Sequence, residues 1–580
     1  MNRPEGIRTQ QWQLAPTVPD DVRRRFEHLH PVLLQVLYNR GIIEPGRIQA
    51  FLEKRYLEST DPFLLADMDK AVARIQQAIA QEEMIVVYGD FDADGVTSTV
   101  LLTEALRGLG LSRQQVQPYI PDRVDEGYGL NVVALTALKQ RGAGLVISVD
   151  CGIRSVDEVA HAREIGLDMI VTDHHSLGPE LPPAAAVVNP KRPHSRYPEV
   201  KLAGVGIAFK LAQALCAAMP ERAAFEEESL LDLVALGTVA DLAPLLGENR
   251  HLVLRGLAVI NEAKRPGLAE LLKVSGVRPG SVTAESIGFG LGPRINAAGR
   301  IDHAYTAARL LAANNAVTAK QLAQKLNDLN KQRQRLTAEL SSRAEALIDP
   351  DAPILIAADP GFLSGVVGLV ASRLAEHNYR PAIVIEQGDE ESRASCRSIP
   401  EFHITEALDQ TADLLVRHGG HAQAAGFTVR NENLPQFIER ITEIARAKLD
   451  GLDLVPSLAI DMELDLQDVD WALQEHLAQL EPTGYANAAP VFISRGVEVL
   501  SHRAVGQDGA HLQMRLKAAA ADTNYKVIPA IAFRQGAWAS SLPQIIDVVY
   551  TLNVNEWNGN RSLQLMVQDL RPAQNGAEQR

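Results

Sequence analysis

The chain has 580 residues, more than one hydrophobic core accommodates, so three or four structural units are expected. Apolar residues make up 46% and charged residues 22%, the balance of an ordinary globular protein. No apolar run approaches the ~18–20 residues of a membrane helix. The net charge of −15 argues against a protein that coats nucleic acid by bulk attraction. It leaves room for a local basic groove, and an acidic site for divalent cations would account for part of the excess.

The amino-terminal run MNRPEGIRTQQWQL lacks the apolar core of a secretory signal. Cys151, Cys216 and Cys396 are far apart and form no CxxC pair, which fits a reducing cytoplasm and excludes a thiolate zinc cluster. Residues 1–70 read as a helical, irregular segment without chemical motifs. From Met84 short apolar strands alternate with helices. MIVVY (84–88), LVISV (145–149) and MIVT (169–172) are buried-strand candidates, with helical stretches near 97–109, 131–141 and 155–165. Such alternation predicts a parallel sheet covered on both faces.

Residues 318–348 carry an uninterrupted helical pattern, with Leu322, Leu326, Leu329, Leu336, Leu340 and Leu347 on a 4-3 spacing broken by Arg333 and Arg343. At ~1.5 Å per residue the helix would span roughly 45 Å. It is either one amphipathic helix packed on a core or a rod joining two domains that flank a cleft. A second α/β set begins at ILIAA (354–358), continues with PAIVIE (381–386) and ends near Leu449. The last region, 457–572, holds the β-like runs VFIS, HLQMRLK, YKVIPAIAF, VVYTLNV and SLQLMV, a density that suggests a small barrel.

All three strand candidates of the first set end in acids. MIVVY runs into Gly89-Asp90-Phe91-Asp92-Ala93-Asp94-Gly95, LVISV into Asp150, and MIVT into Asp173-His174-His175. In open parallel sheets, ligands bind beyond the carboxyl ends of the strands. Acids converging there repel at close range unless a cation neutralises them. Hard divalent ions take carboxylate oxygens, and a neutral imidazole also suits Mn²⁺. Any one aspartate could simply cap the following helix; the whole set with an adjacent histidine pair is not explained that way. An EF-hand loop is rejected, because Leu101 stands at the twelfth position and a strand precedes the loop. Cys151 has no partner in sequence and reads as a small packed residue.

GDFDADG, SVDCG, VTDHH and GTVADLAPL, the last containing Asp241, resemble the four motifs of the DHH phosphoesterase superfamily. RASCRS (393–398) and HGGHAQAAGF (418–427) resemble its associated DHHA1 domain. EPTGYANAAPVF (481–492) resembles the entry to the OB domain of RecJ-type members, with Thr483, Ala486 and Ala488 where Phe, Gly and Pro are usual. The first motif has Phe91 where Tyr is commoner. The resemblance covers about residues 75–450 and, more weakly, the barrel. It implies an α/β protein with a parallel-sheet DHH domain (71–303) and a DHHA1 domain (350–450) joined by a long helix (304–349). A C-terminal OB-like barrel (457–572) would follow, and a helical segment (1–70) would precede.

The same resemblance implies a 5′→3′ exonuclease for single-stranded DNA that releases 5′-mononucleotides and acts in recombination and repair. It implies two Mn²⁺ or Mg²⁺ ions ~3.5–4 Å apart that activate a water. Asp94, Asp150, His174 and Asp241 would hold one ion; Asp90 and Asp92 would hold the other, with Asp150 bridging. His175 would contact the scissile phosphate, and Asp92, Asp94, Asp150, His174 and His175 form the expected catalytic set. Arg123, Arg294, Arg300 and Arg397 have the planar fork that suits phosphate, and resemblance selects Arg123, Arg300, Ser395 and Arg397 for a terminal-phosphate pocket. His421 would face the metal cleft.

In the barrel, Phe492, Tyr525, Phe533, Trp538 and Trp557 are candidates to stack bases. Arg495, Arg503, Arg515, Lys517, Lys526 and Arg534 are candidates to follow phosphates, against the simpler reading of a solvated face. Implied partners are single-stranded DNA, a single-strand-binding protein and a RecQ-type helicase, with the protein monomeric and no membrane involved. Two other readings stand beside this one. The first is a DHH phosphodiesterase for short oligonucleotides or cyclic dinucleotides, which would generally lack the barrel. The second is a non-catalytic replication scaffold, disfavoured because every expected ligand is present. A dehydrogenase is disfavoured because no GxGxxG follows the first strand.

Overall fold

Apolar strands without alternation can persist only where helices cover both faces of a sheet. In the computed structural model, which describes residue 4 and residues 7–517, 526–557 and 560–573, the predicted strands Met84–Tyr88, Ala143–Val149 and Asp168–Thr172 form such a sheet. Ile85 and Val87 enter one core, with the helix Ala93–Gly108; Val86 and Tyr88 enter the other. The sheet has five parallel strands. In space they run Val116–Tyr119, Met84–Tyr88, Ala143–Val149, Asp168–Thr172, Ala186–Val188. Numbered along the chain, the order is 2-1-3-4-5. Its reversal of direction falls between the Met84 and Ala143 strands, where doubly wound sheets open a crevice.

This sheet belongs to a compact unit of residues 58–453 together with 484–486. The unit also holds a second, mixed sheet. Leu355–Asp359 and Ala382–Glu386 pair in parallel, and Glu391–Arg397, Ala424–Arg430 and Leu415–His421 continue it antiparallel, the last as the edge strand.

The long helix runs Ala316–Glu345, capped by Asn315, whose side chain accepts from Thr318 N. It starts two residues before the expected span and ends three residues earlier. Ala319, Ala323 and Leu326 enter the core of the first sheet, whereas Leu340 and Ala344 enter that of the second. One amphipathic helix is thus packed on two cores and connects the two sheets. Of the spaced leucines, Leu347 lies beyond the helix and is 47% exposed.

The other unit comprises residues 1–57, 454–483 and 487–580. Strands Phe492–Val505, His511–Lys517, Val527–Ala532, Asn560–Pro572 and Ile545–Trp557 close into the expected barrel by pairing of the first with the last. The amino-terminal segment departs from expectation in two ways. It contains a strand, Gln11–Leu14, paired in parallel with Ser457–Ile460. Its short helices share a core with the barrel, through Val32, Leu33, Val36 and Leu37 beside Leu473 and Trp538. Helices of this length bury too little on their own, and their partner lies over 400 residues away in sequence, which hid the pairing. From Glu58 the chain belongs to the first unit instead.

Removing the Leu340 side chain, 4% exposed, should cost about 2–5 kcal/mol. Urea unfolding of Leu340→Ala is expected to show this loss; a change under about 0.5 kcal/mol would mean that the helix is not part of that core.

Candidate metal centre

The acidic run after the first strand is split between two tasks. Asp92 caps the helix Ala93–Gly108, its Oδ1 accepting from Asp94 N (2.9 Å) and Gly95 N (3.0 Å). The capping explanation therefore holds for one oxygen of Asp92 and for none of its neighbours. Asp90 and Asp94 are buried behind it, at 3% and 1% exposure. Asp94 accepts from Gly204 N (2.7 Å) and Val205 N (2.9 Å), the first amides of the helix Gly204–Ala218, whose positive end favours an anion. Asp150 has φ of 61°, a left-handed conformation that bends its side chain back at the strand tip. A Cβ at Gly204 would lie 2.6 Å from Asp150 Oδ1, so only glycine admits that carboxylate.

These groups converge. Asp90, Asp92 and Asp150 bring ligand atoms within 4.8 Å of one another, and so do Asp94, His174 and Asp241. His174 Nε2 lies 3.1 Å from Asp150 Oδ1 and 3.9 Å from Asp241 Oδ2, which links the two triads. Asp90 Oδ1, Asp150 Oδ1 and His174 Nε2 are nonetheless buried without a completed hydrogen bond. Buried polar atoms are rarely left so, and three aimed at one small space fit divalent cations. Burial and the Asp92 charge push Asp90 up to about 8 and Asp94 to about 7. Burial and Asp94 push Asp241 to about 9 and raise Asp150 well above the carboxylate range. Burial and the neighbouring His175 push His174 down to about 3, leaving a neutral imidazole able to donate a lone pair.

His175 behaves oppositely. Its Nδ1 and backbone N both meet Asp173 Oδ1, at 2.8 and 2.9 Å, and Tyr128 Oη lies 3.2 Å from the ring. Burial opposes the charged ring, but the Asp173 bond outweighs it and raises the His175 pKa. Asp173 is 1% exposed and also accepts from Ile153 N (2.9 Å). Burial alone would raise its carboxyl, yet these bonds hold it below the usual range. Asp173 and Tyr128 were absent from the sequence-derived set. The signal for Asp173 was its place at the strand tip; for Tyr128 there was none, since the contact crosses 47 positions.

Beside the acids sits a cluster of arginines. Arg123 lies over the Phe91 ring (3.7 Å to its centre) and donates to Gly299 O (2.9 Å). Arg300 donates to Gly365 O (3.0 Å). Burial together with Arg123, Arg333 and Arg397 lowers Arg300 to about 9, against a smaller opposing pull from Asp92. Arg333 was missed; the signal was an arginine interrupting the leucine spacing, and its Nε is buried without a partner. Ser395 Oγ accepts from Arg397 Nη1 (3.2 Å). Arg294 does not join this cluster. It is tied to Gly290 O (2.7 Å) and Asn327 Oδ1 (3.1 Å), bracing the turn before its helix. His421 feels the charges of Arg154, His175 and Lys191, which places it toward the metal centre.

The barrel candidates divide differently. Phe492 and Trp538 are fully buried and belong to the core. Phe533 is 51% exposed. Tyr525 and the Trp557 side chain lie outside the described residues. Arg495 pairs with Glu463, Lys517 with Glu498, and Lys526 donates to Gln467 O and Val469 O. Arg503, Arg515 and Arg534 remain exposed.

Known proteins carry the same parts. The DHH family N-terminal domain matches residues 84–238, the DHHA1 domain 351–447 and the RecJ OB domain 460–569. The single-stranded-DNA-specific exonuclease RecJ of Bacillus subtilis is 38% identical over 96% of this chain and 70% of its own length. That of Salmonella typhimurium is 35% identical over 97% of this chain and 100% of its own. This chain belongs to the RecJ family. The crystal structure of RecJ in complex with Mn²⁺ from Thermus thermophilus matches with a TM-score of 0.83 at 31% identity, covering 97% of this chain and 80% of that one. Among the described residues no helix is long and apolar enough to cross a membrane.

The raised carboxyls fix the sign of the pH dependence. Unfolded aspartates titrate near pH 4, while Asp94, Asp90 and Asp241 hold protons in the fold to about 7, 8 and 9. The folded state binds more protons across that window, so metal-free stability falls as pH rises from about 4 to 9. Thermal unfolding in EDTA should give a lower Tm at pH 8.5 than at pH 6. Added Mn²⁺ should raise Tm more at pH 8.5; a metal effect independent of pH would contradict this arrangement.

Proposed function

We propose that the chain is a metal-dependent exonuclease that hydrolyses single-stranded DNA from its 5′ end and releases 5′-mononucleotides. The observation that carries the reading is the juxtaposition of two opposed clusters. Acids with unpaired buried oxygens adjoin the arginine cluster, and Arg123 feels the charges of Asp90 and Asp92 directly. A pocket of guanidiniums takes a terminal phosphate, and the adjoining acids then meet the next phosphodiester. The curated relatives are exonucleases specific for single-stranded DNA by name, and the matched Thermus structure is a Mn²⁺ complex.

Divalent ions, Mn²⁺ or Mg²⁺, would supply a polarised water and neutralise charge on the phosphoryl oxygens. Asp94, His174 and Asp241 are the residues to hold one, Asp90 and Asp92 the other, and Asp150 reaches both. Low basicity keeps His174 a ligand instead of a cation. The His175 ring, oriented by Asp173 and Tyr128, donates a hydrogen bond to a non-bridging oxygen of the scissile phosphate. Arg123, Arg300, Arg333 and Arg397, with Ser395, bind the 5′-phosphate and fix the first nucleotide. We extend the proposal to DNA recombination and repair, in the cytoplasm, by a monomer working beside a single-strand-binding protein and a RecQ-type helicase.

Purified protein with Mn²⁺ and a strand labelled at either end tests this. A labelled mononucleotide from the 5′ end should be the first product, and matched duplex should be digested far more slowly. Release from the 3′ end, equal rates on duplex, or digestion confined to dinucleotides would refute the reading. Asp150→Ala should lower the rate at least about a thousandfold while strand binding persists; near-normal cleavage would remove its bridging role.

A further inference from the structure

The second sheet turns one face toward the metal centre, and register shows what that face presents. Directly paired residues on neighbouring strands share a face, as do alternate residues along a strand. Arg397, Ala424 and His421 form one such row across the three outer strands. Ser395, Gly426 and Gly419 form the next, and Arg393, Thr428 and Arg417 the third. The innermost row belongs to the site already described. The middle row carries Ser395 of the phosphate pocket and then two glycines, and the outermost ends in two arginines.

We infer that this face is a lane for the strand's phosphodiester backbone, on which Arg393 and Arg417 bind phosphates beyond the first nucleotide. The inference rests on the nuclease reading and deepens it. Successive rows are separated by two residues, roughly 6.8 Å, close to the separation of successive phosphates in an extended single strand. The outer arginines therefore stand two such steps from Arg397 and His421. Both are exposed, and neither forms an ion pair among the described residues. Arg393 Nη1 donates to Val124 O (3.3 Å) and Arg417 Nε to Thr428 Oγ1 (3.2 Å), contacts that position the guanidiniums and leave their charge unneutralised. In a chain of net charge −15, this row thus presents two exposed arginines, one on each side of Thr428, without a carboxylate partner among the described residues.

The space in front of them is open. A cavity of about 420 Å³ is bounded by Arg393, Arg417, Gly419 and Gly426 on the sheet and by Tyr128 opposite, and no carboxylate lines it. Tyr128 is the residue whose hydroxyl contacts His175, so the cavity adjoins the reacting site. A Cβ at Gly419 would meet nothing within 4 Å. Packing therefore does not demand a glycine there, although glycine weakens a strand. Glycine in a strand commonly marks close approach by a ligand or another backbone, and here it keeps the lane flat between its two basic rows.

The test compares a 5′-phosphorylated twenty-nucleotide strand with a 5′-phosphorylated dinucleotide, which has no phosphate beyond the scissile one. In the full-length protein with Mn²⁺, the double variant Arg393→Ala/Arg417→Ala should lose about tenfold or more in kcat/KM on the long strand, carried by KM. Its loss on the dinucleotide should be much smaller. The slope of log KM against log salt should fall by about 1.4, at ~0.7 per phosphate for single strands. Gly419→Val adds bulk without removing charge and should give the same length-dependent loss with an unaltered salt slope. Equal losses on both substrates, or no loss on the long strand, would overturn the lane. A wild-type protein inert on both would overturn the nuclease reading itself, a different outcome from an active wild type with indifferent variants.

Discussion

Three buried carboxyls cannot share one pocket as anions, and the topology of the first sheet leaves them nowhere else to go. The parallel strands Met84–Tyr88 and Ala143–Val149 are neighbours whose connections depart to opposite sides, so their carboxyl ends face a common crevice. Asp90, Asp94 and Asp150 occupy that crevice and are almost wholly buried. The unfavourable charge is relieved in one of two ways: protons are held to unusually high pH, or cations enter. The unpaired oxygens of Asp90 and Asp150 and the lone pair of a neutral His174 favour the second. Everything built around the crevice follows from that choice, from the glycine that makes room for Asp150 to the helix amides that hold Asp94.

The arginine cluster is the complement of this arrangement. Arg123, Arg333 and Arg397 depress the proton affinity of Arg300, just as the neighbouring acids raise that of Asp150. Two like-charged clusters in contact are each stabilised by the other and destabilised within themselves. A strand end carrying a terminal phosphate and a phosphodiester one step away meets both needs at once, provided cations accompany the acids. On the proposed reading, the polarity of binding is set by which cluster a phosphate satisfies: a terminal dianion suits the guanidiniums, and a bridging monoanion suits the metal side. His175, whose proton affinity the Asp173 bond raises, stands beside Asp173 and Tyr128 next to the acids.

Much of this was legible in the sequence because it is local. Three apolar strands of five to seven residues, each followed at once by acids, disclose a parallel sheet and its site without any tertiary information. Asp90, Asp92, Asp94, Asp150 and His174 follow from the same fact, whereas Asp241, at the end of the helix Leu231–Ala240, was reached only through the family motif. What stayed hidden depended on contacts between distant segments. Tyr128 reaches His175 only through the fold, and Arg333 looked like a flaw in a leucine stripe until Arg300 was found beside it. Arg294 misled for the converse reason: it has the right type and the right glycine-rich setting, but backbone carbonyls consume its donors. The amino-terminal helices were read as independent because nothing in them names the barrel core they complete.

The barrel shows how weak residue type is as a guide to binding. Phe492 and Trp538 have the side chains that stack bases, yet both fill the barrel interior, where a closed sheet of five strands needs bulk. Three of the six basic candidates are committed to carboxylates or backbone carbonyls. On the second sheet of the catalytic unit the logic runs the other way, since pairing register alone aligns arginines, glycines and the phosphate pocket on one open face. Position in a sheet specifies which side chains share a surface, and composition does not. A surface for a flexible polyanion is therefore better recognised by uncompensated charge at regular spacing over a flat floor than by a count of aromatic and basic residues.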